Sequence, residues 1–86
     1  MAIKTIFLDR DGVINKEVNY LYKIQDFEFI EGVFEACSYF QNLNYNIIVI
    51  SNQSGIDRGI YSESDYQRVN EWMLNEFYLK NVSILD

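Results

Sequence analysis

The sequence predicts a single α/β domain built on a parallel sheet. Short apolar segments alternate along the chain with segments of helical periodicity, in the order strand, helix, strand, helix, strand. Two of the apolar segments end in polar clusters, and ligands of parallel sheets bind at the carboxyl ends of the strands. With 86 residues the chain has room for one domain, covering residues 1–86. We therefore expect a functional site where the strands end.

The first predicted strand covers residues 3–8, which are mostly apolar and end at an Asp–Gly cluster. Residues 15–31 follow no regular period and are rich in Tyr and Phe, so we expect an excursion in the form of a small hairpin. The first helix is predicted next, because apolar residues recur at steps of three and four. They are Val33, Ala36, Cys37, Phe40 and Leu43.

Residues 45–50 are almost continuously apolar, which is typical of a strand covered on both faces. The second helix is expected to begin at Ser62, because Asp65 stands three residues further on in a capping-box arrangement. Residues 82–85 are predicted to begin a third strand. The periodicity predicts a core of Ile6, Leu8, Val33, Phe40, Ile48, Ile50, Val69 and Met73.

The composition of the chain excludes several classes of binding partner and of catalytic site. Thirteen acidic and seven basic residues give a net charge of −6, so neither nucleic acid nor an anionic membrane is an expected partner. A lone Cys37 forms no intrachain disulfide, and without a signal-peptide pattern or membrane span we expect a cytoplasmic location. The absence of histidine excludes Ser-His and Cys-His nucleophile systems. Any zinc site would need ligands from outside this chain.

The first polar cluster is Asp9-Arg10-Asp11-Gly12. Residues two apart on an extended chain point the same way, so Asp9 and Asp11 can converge on one reacting group. This arrangement suits a carboxylate nucleophile with a neighbouring general acid/base, although an acidic turn that merely ends the strand explains the spacing equally well. An EF-hand loop does not fit, because Ile14 stands where such a loop requires glycine.

The second polar cluster runs from Ser51 to Gly55 and continues to Arg58. A hydroxyl at the end of a buried strand, followed by amides and a glycine, can donate hydrogen bonds to a phosphoryl group. An ordinary polar loop is the alternative, and no Walker A spacing is present. Arg58 could hold a substrate phosphate or could be a solvated surface charge.

Together, the stretches "FLDRDGVIN" and "VISNQSGIDRGIY" resemble the first two motifs of the haloacid dehalogenase-like hydrolases. The resemblance runs along all 86 residues and includes "FEFIEGV" and "EWML". Within this family, the sequence most resembles the branch of heptose-bisphosphate and histidinol-phosphate phosphatases. It implies a three-layer α/β/α fold with a parallel sheet, truncated after the third strand. It also implies Mg²⁺-dependent phosphomonoester hydrolysis through an aspartyl-phosphate. The expected substrate is a phosphorylated sugar, D-glycero-D-manno-heptose 1,7-bisphosphate, with histidinol phosphate as the alternative.

The resemblance also assigns roles by position. Asp9 would be the nucleophile and Asp11 the general acid/base, and Asp9 with the backbone carbonyl of Asp11 would bind Mg²⁺. Ser51 and Asn52 would bind the phosphoryl group. The expected substrate-binding residues are Glu17, Val18, Asn19, Tyr20, Gln53, Ser54 and, from its charge, Arg58.

The sequence departs from this family in its length. The family carries a third motif with a phosphoryl-stabilising Lys and a fourth with an acidic Mg²⁺ ligand, and Lys80 lies too early to supply the Lys. Zn²⁺ is expected only through a Cys/His loop in a segment absent from this chain. We therefore expect the N-terminal half of a phosphatase domain, inactive alone and able to self-associate through an exposed sheet edge.

Two rival classes remain. One is a catalytically silent fragment that binds phosphate or a partner chain. The other is a phospho-accepting module of receiver type, which also uses aspartates at strand ends. Asp11-Gly12 followed by the "SNQSG" loop argues against the receiver, in which the paired acids and the acceptor stand on different strands.

Overall fold

The computed structural model describes residues 4–51 and 54–85 of the chain. None of the helices within these ranges is long and apolar enough to cross a membrane. The elements are strand β1 (Lys4–Asp9), a 3₁₀ helix (Ile24–Asp26), helix α1 (Val33–Asn42), strand β2 (Tyr45–Ile50), and helices α2 (Ser54–Asp57) and α3 (Glu63–Leu79). The predicted alternation of strands and helices is confirmed up to α3.

The two strands pair in parallel, in a register that runs from Lys4 opposite Tyr45 to Asp9 opposite Ile50. Helix α1 connects them and packs on β2, which is the expected arrangement of a strand–helix–strand unit. Since both strands run the same way, both end at one edge of the sheet. The residues that follow Asp9 and Ile50 are therefore neighbours.

The described helices cover only one face of this sheet. Ile47 is 1% exposed and lies in a core cluster with residues of α1 and α3. The alternate side chains point to the other face, where Phe7 is 60% exposed and Ile50 is 49% exposed. The prediction that β2 is covered on both faces is thus wrong for the described part of the chain.

The predicted core is confirmed in part. Val33, Val69 and Met73 are buried, whereas Ile6, Leu8, Phe40 and Ile48 are only half-buried. Ile50 is on the uncovered face, which makes its assignment to the core wrong. The buried cluster consists of Ile14, Leu21, Phe27, Val33, Cys37, Ile47, Val69, Met73, Phe77 and Val82.

The excursion between β1 and α1 closes at its base as a short antiparallel pairing. The Lys16 N–H donates to the Glu28 carbonyl at 2.8 Å, and the Ile30 N–H donates to the Ile14 carbonyl at 2.8 Å. This agrees with the expected small hairpin. The loop is anchored by Phe27, whose ring lies 5.3 Å from that of Trp72 on α3.

Helix α3 has well-defined ends. The Asp65 N–H donates to the Ser62 hydroxyl oxygen at 3.1 Å, and the Ser62 N–H donates to the Asp65 carboxylate at 3.0 Å. The predicted capping box is therefore confirmed. At the other end Asn81 adopts a φ of 63°, and the Val82 N–H donates to the Phe77 carbonyl, which is the pattern of a Schellman motif.

The predicted third strand does not form within the described residues. Of residues 82–85, only the Leu85 N–H bonds to β2, donating to the Ile47 carbonyl at 2.8 Å. A single bond is too little for a ladder, so the segment does not form a strand. Gln41 holds its beginning, donating to the Asn81 carbonyl at 2.9 Å and accepting from the Ser83 N–H at 2.7 Å.

Candidate active site

A tight turn after β1 presents the two aspartates at the sheet edge. The Arg10 N–H donates to the Ile50 carbonyl at 2.9 Å and thereby extends the strand pairing by one residue. The Arg10 carbonyl then accepts from the N–H groups of Ile14, at 2.8 Å, and Asn15, at 3.1 Å. Gly12 completes the turn with a φ of 86°, a left-handed conformation that favours glycine.

The structure brings the predicted catalytic residues to one cleft of about 290 Å³. Both aspartates of the first cluster lie there together with Ser51, which follows β2, because parallel strands end at the same edge. The cleft is lined by Asp9, Arg10, Asp11, Glu17, Tyr20, Leu21, Ile50, Ser51 and Tyr61.

The carboxylate of Asp11 is held by two buried neighbours. Arg10 approaches Asp11 Oδ1 with Nε at 3.3 Å and Nη2 at 3.2 Å. Asn15 Nδ2 donates to the same oxygen at 3.1 Å. Arg10 is only 2% exposed and Asn15 is fully buried. Neither side chain is among the predicted site residues, although a cation between two acids is a signal that could have suggested a role for Arg10.

The hydroxyl of Ser51 is held from helix α3. Its Oγ lies 3.2 Å from the hydroxyl of Tyr66, and either group could be the donor. Tyr66 lies in the first turns of α3, close to the capped start of that helix. The contact fixes the position of the Ser51 hydroxyl at the end of β2, where it faces the same cleft as Asp9.

The predicted substrate-binding residues after the first turn are divided by the structure. Glu17 and Tyr20 line the cleft, whereas Val18 and Asn19 are exposed and do not line it. Arg58 does not line the cleft either, but its Nη1 donates to the Tyr20 hydroxyl at 2.7 Å. Arg58 thus contacts a residue that lines the cleft but does not line the cleft itself.

Of the other predicted residues, Asn52 and Gln53 lie outside the described residues. Ser54 is the first residue of α2.

Tyr61 also lines the cleft and is not among the predicted site residues. Its buried ring stacks on that of Tyr22 at 5.5 Å between centroids, with 7° between the planes. Burial raises the pKa of the Tyr61 phenol above its ordinary value, while the nearby positive charge of Arg10 lowers it. The phenol therefore stays protonated, as a neutral donor, at physiological pH.

The side chain of Asp9 and the backbone carbonyl of Asp11 are hard oxygen donors of the kind that Mg²⁺ prefers. Both residues line the cleft, so the residues present fit a shared magnesium site. Within residues 4–51 and 54–85, no three His, Cys, Asp or Glu side chains are grouped so as to hold a metal ion.

Comparison with known proteins gives close relatives, although no protein-family model matches the chain. A D-glycero-alpha-D-manno-heptose-1,7-bisphosphate 7-phosphatase of Campylobacter jejuni is 51% identical over 84 residues, which are 98% of this chain and 49% of the relative. An enzyme of the same name from Photorhabdus laumondii is 54% identical over 98% of this chain and 46% of the relative. The chain spans about half the length of these relatives.

Solved structures agree on the fold. The D,D-heptose 1,7-bisphosphate phosphatase of B. bronchiseptica, complexed with magnesium and phosphate, superposes with a TM-score of 0.87 at 22% identity, over 94% of this chain and 46% of that one. A putative HAD-like phosphatase from Mesorhizobium loti also gives a TM-score of 0.87, at 28% identity, over 95% of this chain and 39% of that one. The predicted haloacid dehalogenase-like fold is confirmed, and the chain is homologous to heptose-bisphosphate phosphatases over the part of them that it spans.

Proposed function

We propose that this chain carries the nucleophile and the general acid/base of a phosphatase that acts on a phosphorylated sugar. The observation that carries the proposal is the meeting of Asp9, Asp11 and Ser51 on one cleft, at the ends of two adjacent parallel strands. Its support from other proteins is the similarity to named heptose-bisphosphate 7-phosphatases over 98% of the chain.

In the first step, a carboxylate oxygen of Asp9 attacks the phosphorus of the ester. A bond forms between that oxygen and phosphorus, and the bond from phosphorus to the sugar oxygen breaks. Asp11 gives its proton to the leaving oxygen, so the sugar departs as an alcohol and Asp9 carries an aspartyl-phosphate. Asp9 suits this role because it ends β1 at an exposed position on the cleft.

In the second step, water attacks the phosphorus of the aspartyl-phosphate and gives a proton to the Asp11 carboxylate. The bond from phosphorus to the Asp9 oxygen breaks, which releases inorganic phosphate and restores both side chains. Ser51 is placed to donate its hydroxyl hydrogen to a phosphoryl oxygen in both steps, because it faces the same cleft.

Asp9 and the backbone carbonyl of Asp11 would hold Mg²⁺, which supplies the positive charge that neutralises the phosphoryl oxygens. The aspartates alone do not provide it, since a phosphoryl group adds negative charge beside two carboxylates. Within the described lining of the cleft, Arg10 is the one cationic side chain, and it is engaged by Asp11.

The substrate proposed is D-glycero-D-manno-heptose 1,7-bisphosphate. The polar residues Glu17 and Tyr20 on the cleft wall suit a hydroxyl-rich sugar, and Arg58 beside Tyr20 suits a second phosphate. We prefer it to histidinol phosphate because the relatives at 51% and 54% identity are named for the heptose bisphosphate. Because the net charge of the chain is −6, we propose neither nucleic acid nor an anionic membrane as a partner. We also propose a cytoplasmic location, which agrees with the single cysteine of the chain.

The test is a chimera that joins the 86-residue chain to the part of the Campylobacter relative that the chain does not span. Release of phosphate from the heptose bisphosphate is measured with and without Mg²⁺. The proposal expects Mg²⁺-dependent turnover that Asp9→Asn abolishes and that Asp26→Asn, an exposed carboxylate off the cleft, preserves. A folded chimera without turnover, or turnover that survives Asp9→Asn, would contradict it.

A further inference from the structure

We infer that Arg10 and Asn15 form a buried clamp on Asp11, which fixes its carboxylate so that Oδ2 is the oxygen that exchanges the proton. This inference rests on the proposed function for the chemistry of Asp11. It goes beyond that function by assigning two positioning residues and by distinguishing the two oxygens of one carboxylate.

The clamp acts on a single oxygen. Arg10 Nε at 3.3 Å, Arg10 Nη2 at 3.2 Å and Asn15 Nδ2 at 3.1 Å all converge on Asp11 Oδ1. Among the described residues, no side chain donates a hydrogen bond to Oδ2. An oxygen that accepts two hydrogen bonds and lies beside a guanidinium nitrogen has its lone pairs engaged, so the proton is exchanged at the other oxygen.

The two clamping side chains have little freedom to move. Asn15 also donates from Nδ2 to the Lys16 carbonyl at 3.0 Å, and its backbone N–H donates to the Arg10 carbonyl. Arg10 is buried, and within the described chain its charge is balanced by Asp11 alone. Moving Asp11 away would leave a buried guanidinium unpaired, which is strongly unfavourable.

The clamp also depends on the tight turn itself. The turn that Gly12 completes brings residue 15 back to residue 10, so the same six residues place the aspartate and both of its partners. Arg10 Nη1 and Asn15 Oδ1 are buried and have no hydrogen-bond partner among the described residues, so the hydrogen bonding of both side chains is incomplete. This incomplete pairing is the pattern expected of side chains kept for a site rather than for stability.

The first experiment measures the clamp without measuring activity. In the isotopically labelled 86-residue chain, three-bond NMR couplings from the Asp11 side-chain carboxyl carbon to the backbone report its χ1 angle. The inference expects a single rotamer in the wild type. It expects averaging among rotamers in folded Asn15→Leu and Arg10→Lys variants, and no change in Asn75→Leu, an exposed site on α3. Averaging in the wild type would overturn the inference by itself, and so would a fixed Asp11 in either folded clamp variant.

The second experiment separates positioning from a purely structural role. In the chimera described above, kcat/KM is compared for the heptose bisphosphate, whose leaving oxygen needs a proton, and for p-nitrophenyl phosphate, whose leaving group does not. Asn15→Leu is expected to lower the first value about tenfold or more and the second by less than about threefold, since general acid catalysis contributes 10²–10⁴-fold in total. Equal losses for both substrates would overturn the inference. An inactive wild-type chimera would contradict the proposed function instead, and the NMR result would still decide the clamp.

Discussion

Gly55 and Tyr61 form a contact that only glycine permits. A Cβ added at Gly55 would overlap the buried Tyr61 ring, which stacks on Tyr22 and lines the cleft. We therefore expect Gly55→Ala to lower the free energy of unfolding by about 1–3 kcal/mol through overpacking. Urea denaturation measures this, and a double-mutant cycle with Tyr61→Leu provides the control. If Gly55→Ala costs as much with Leu at position 61 as with Tyr, the steric explanation is wrong.

At the scale of residues, the sequence predicted the positions of the candidate reactive groups but not their partners. Asp9, Asp11 and Ser51 could be placed together because strand ends and the period of two are simple geometry. The contacts of Arg10 and Asn15 could not, since they depend on how the chain returns after Gly12. Such a return is set by the backbone angles of a six-residue turn, which the residue types alone do not specify.

The capping box of α3 makes the stability of that helix sensitive to acid. The hydrogen bond from the Ser62 N–H holds the pKa of the Asp65 carboxyl below its ordinary value of 3.8, and Ser62 Oγ and Arg68 lower it further. Because the folded state has the lower pKa, the stabilisation is fully present above that ordinary value. It is lost as the pH falls through the pKa of the folded state.

We therefore expect the melting temperature of the wild type to fall more between neutral pH and about pH 3 than that of Asp65→Asn. Glu71→Gln, an exposed acid in the middle of the same helix, is the matched control and should behave like the wild type. Thermal unfolding followed by circular dichroism measures the difference. Parallel acid profiles for the wild type and Asp65→Asn would contradict a role for the capping box.

At the scale of elements, the helices were easier to predict than the strands. Their apolar periodicity and caps are local, so both long helices begin where the sequence indicated, at Val33 and just after Ser62. Strand β2 was predicted to be covered on both faces because its apolar run is continuous, yet the described helices cover one. Residues 82–85 form no strand because pairing depends on a neighbour rather than on composition.

The whole molecule presents an open sheet. The outer edge of β1 has no strand partner among the described residues, and Phe7 stands exposed on the uncovered face. Unpaired strand edges beside apolar surface are templates for association. We expect the 86-residue chain to self-associate at high micromolar concentration, as measured by sedimentation. Phe7→Lys should weaken the association, whereas Tyr78→Lys, on exposed surface of α3, should not. A strictly monomeric wild type would contradict this expectation.

We expect negligible phosphatase activity from the 86-residue chain alone, because its described cleft lacks groups that the proposed reaction needs. The described cleft offers the Asp9 carboxylate and the Asp11 backbone carbonyl for a metal ion and no Lys for the phosphoryl group. Losing one stabilising donor at a developing negative charge costs about 10²–10³ in rate. The measurement is phosphate release by the purified chain with Mg²⁺. Metal-dependent turnover that disappears in Asp9→Asn would prove this expectation wrong.

The central claim is that Asp9 is the nucleophile, and trapping the phosphorylated enzyme tests it most directly. The chimera is mixed with the heptose bisphosphate and Mg²⁺, quenched in acid during the first turnover, digested and examined by mass spectrometry. The account predicts a phosphoryl group on the peptide that contains Asp9, removable by hydroxylamine as acyl phosphates are, and absent from Asp9→Asn. A phosphoryl group on any other residue, or first-turnover product without any phosphorylated enzyme, would contradict it.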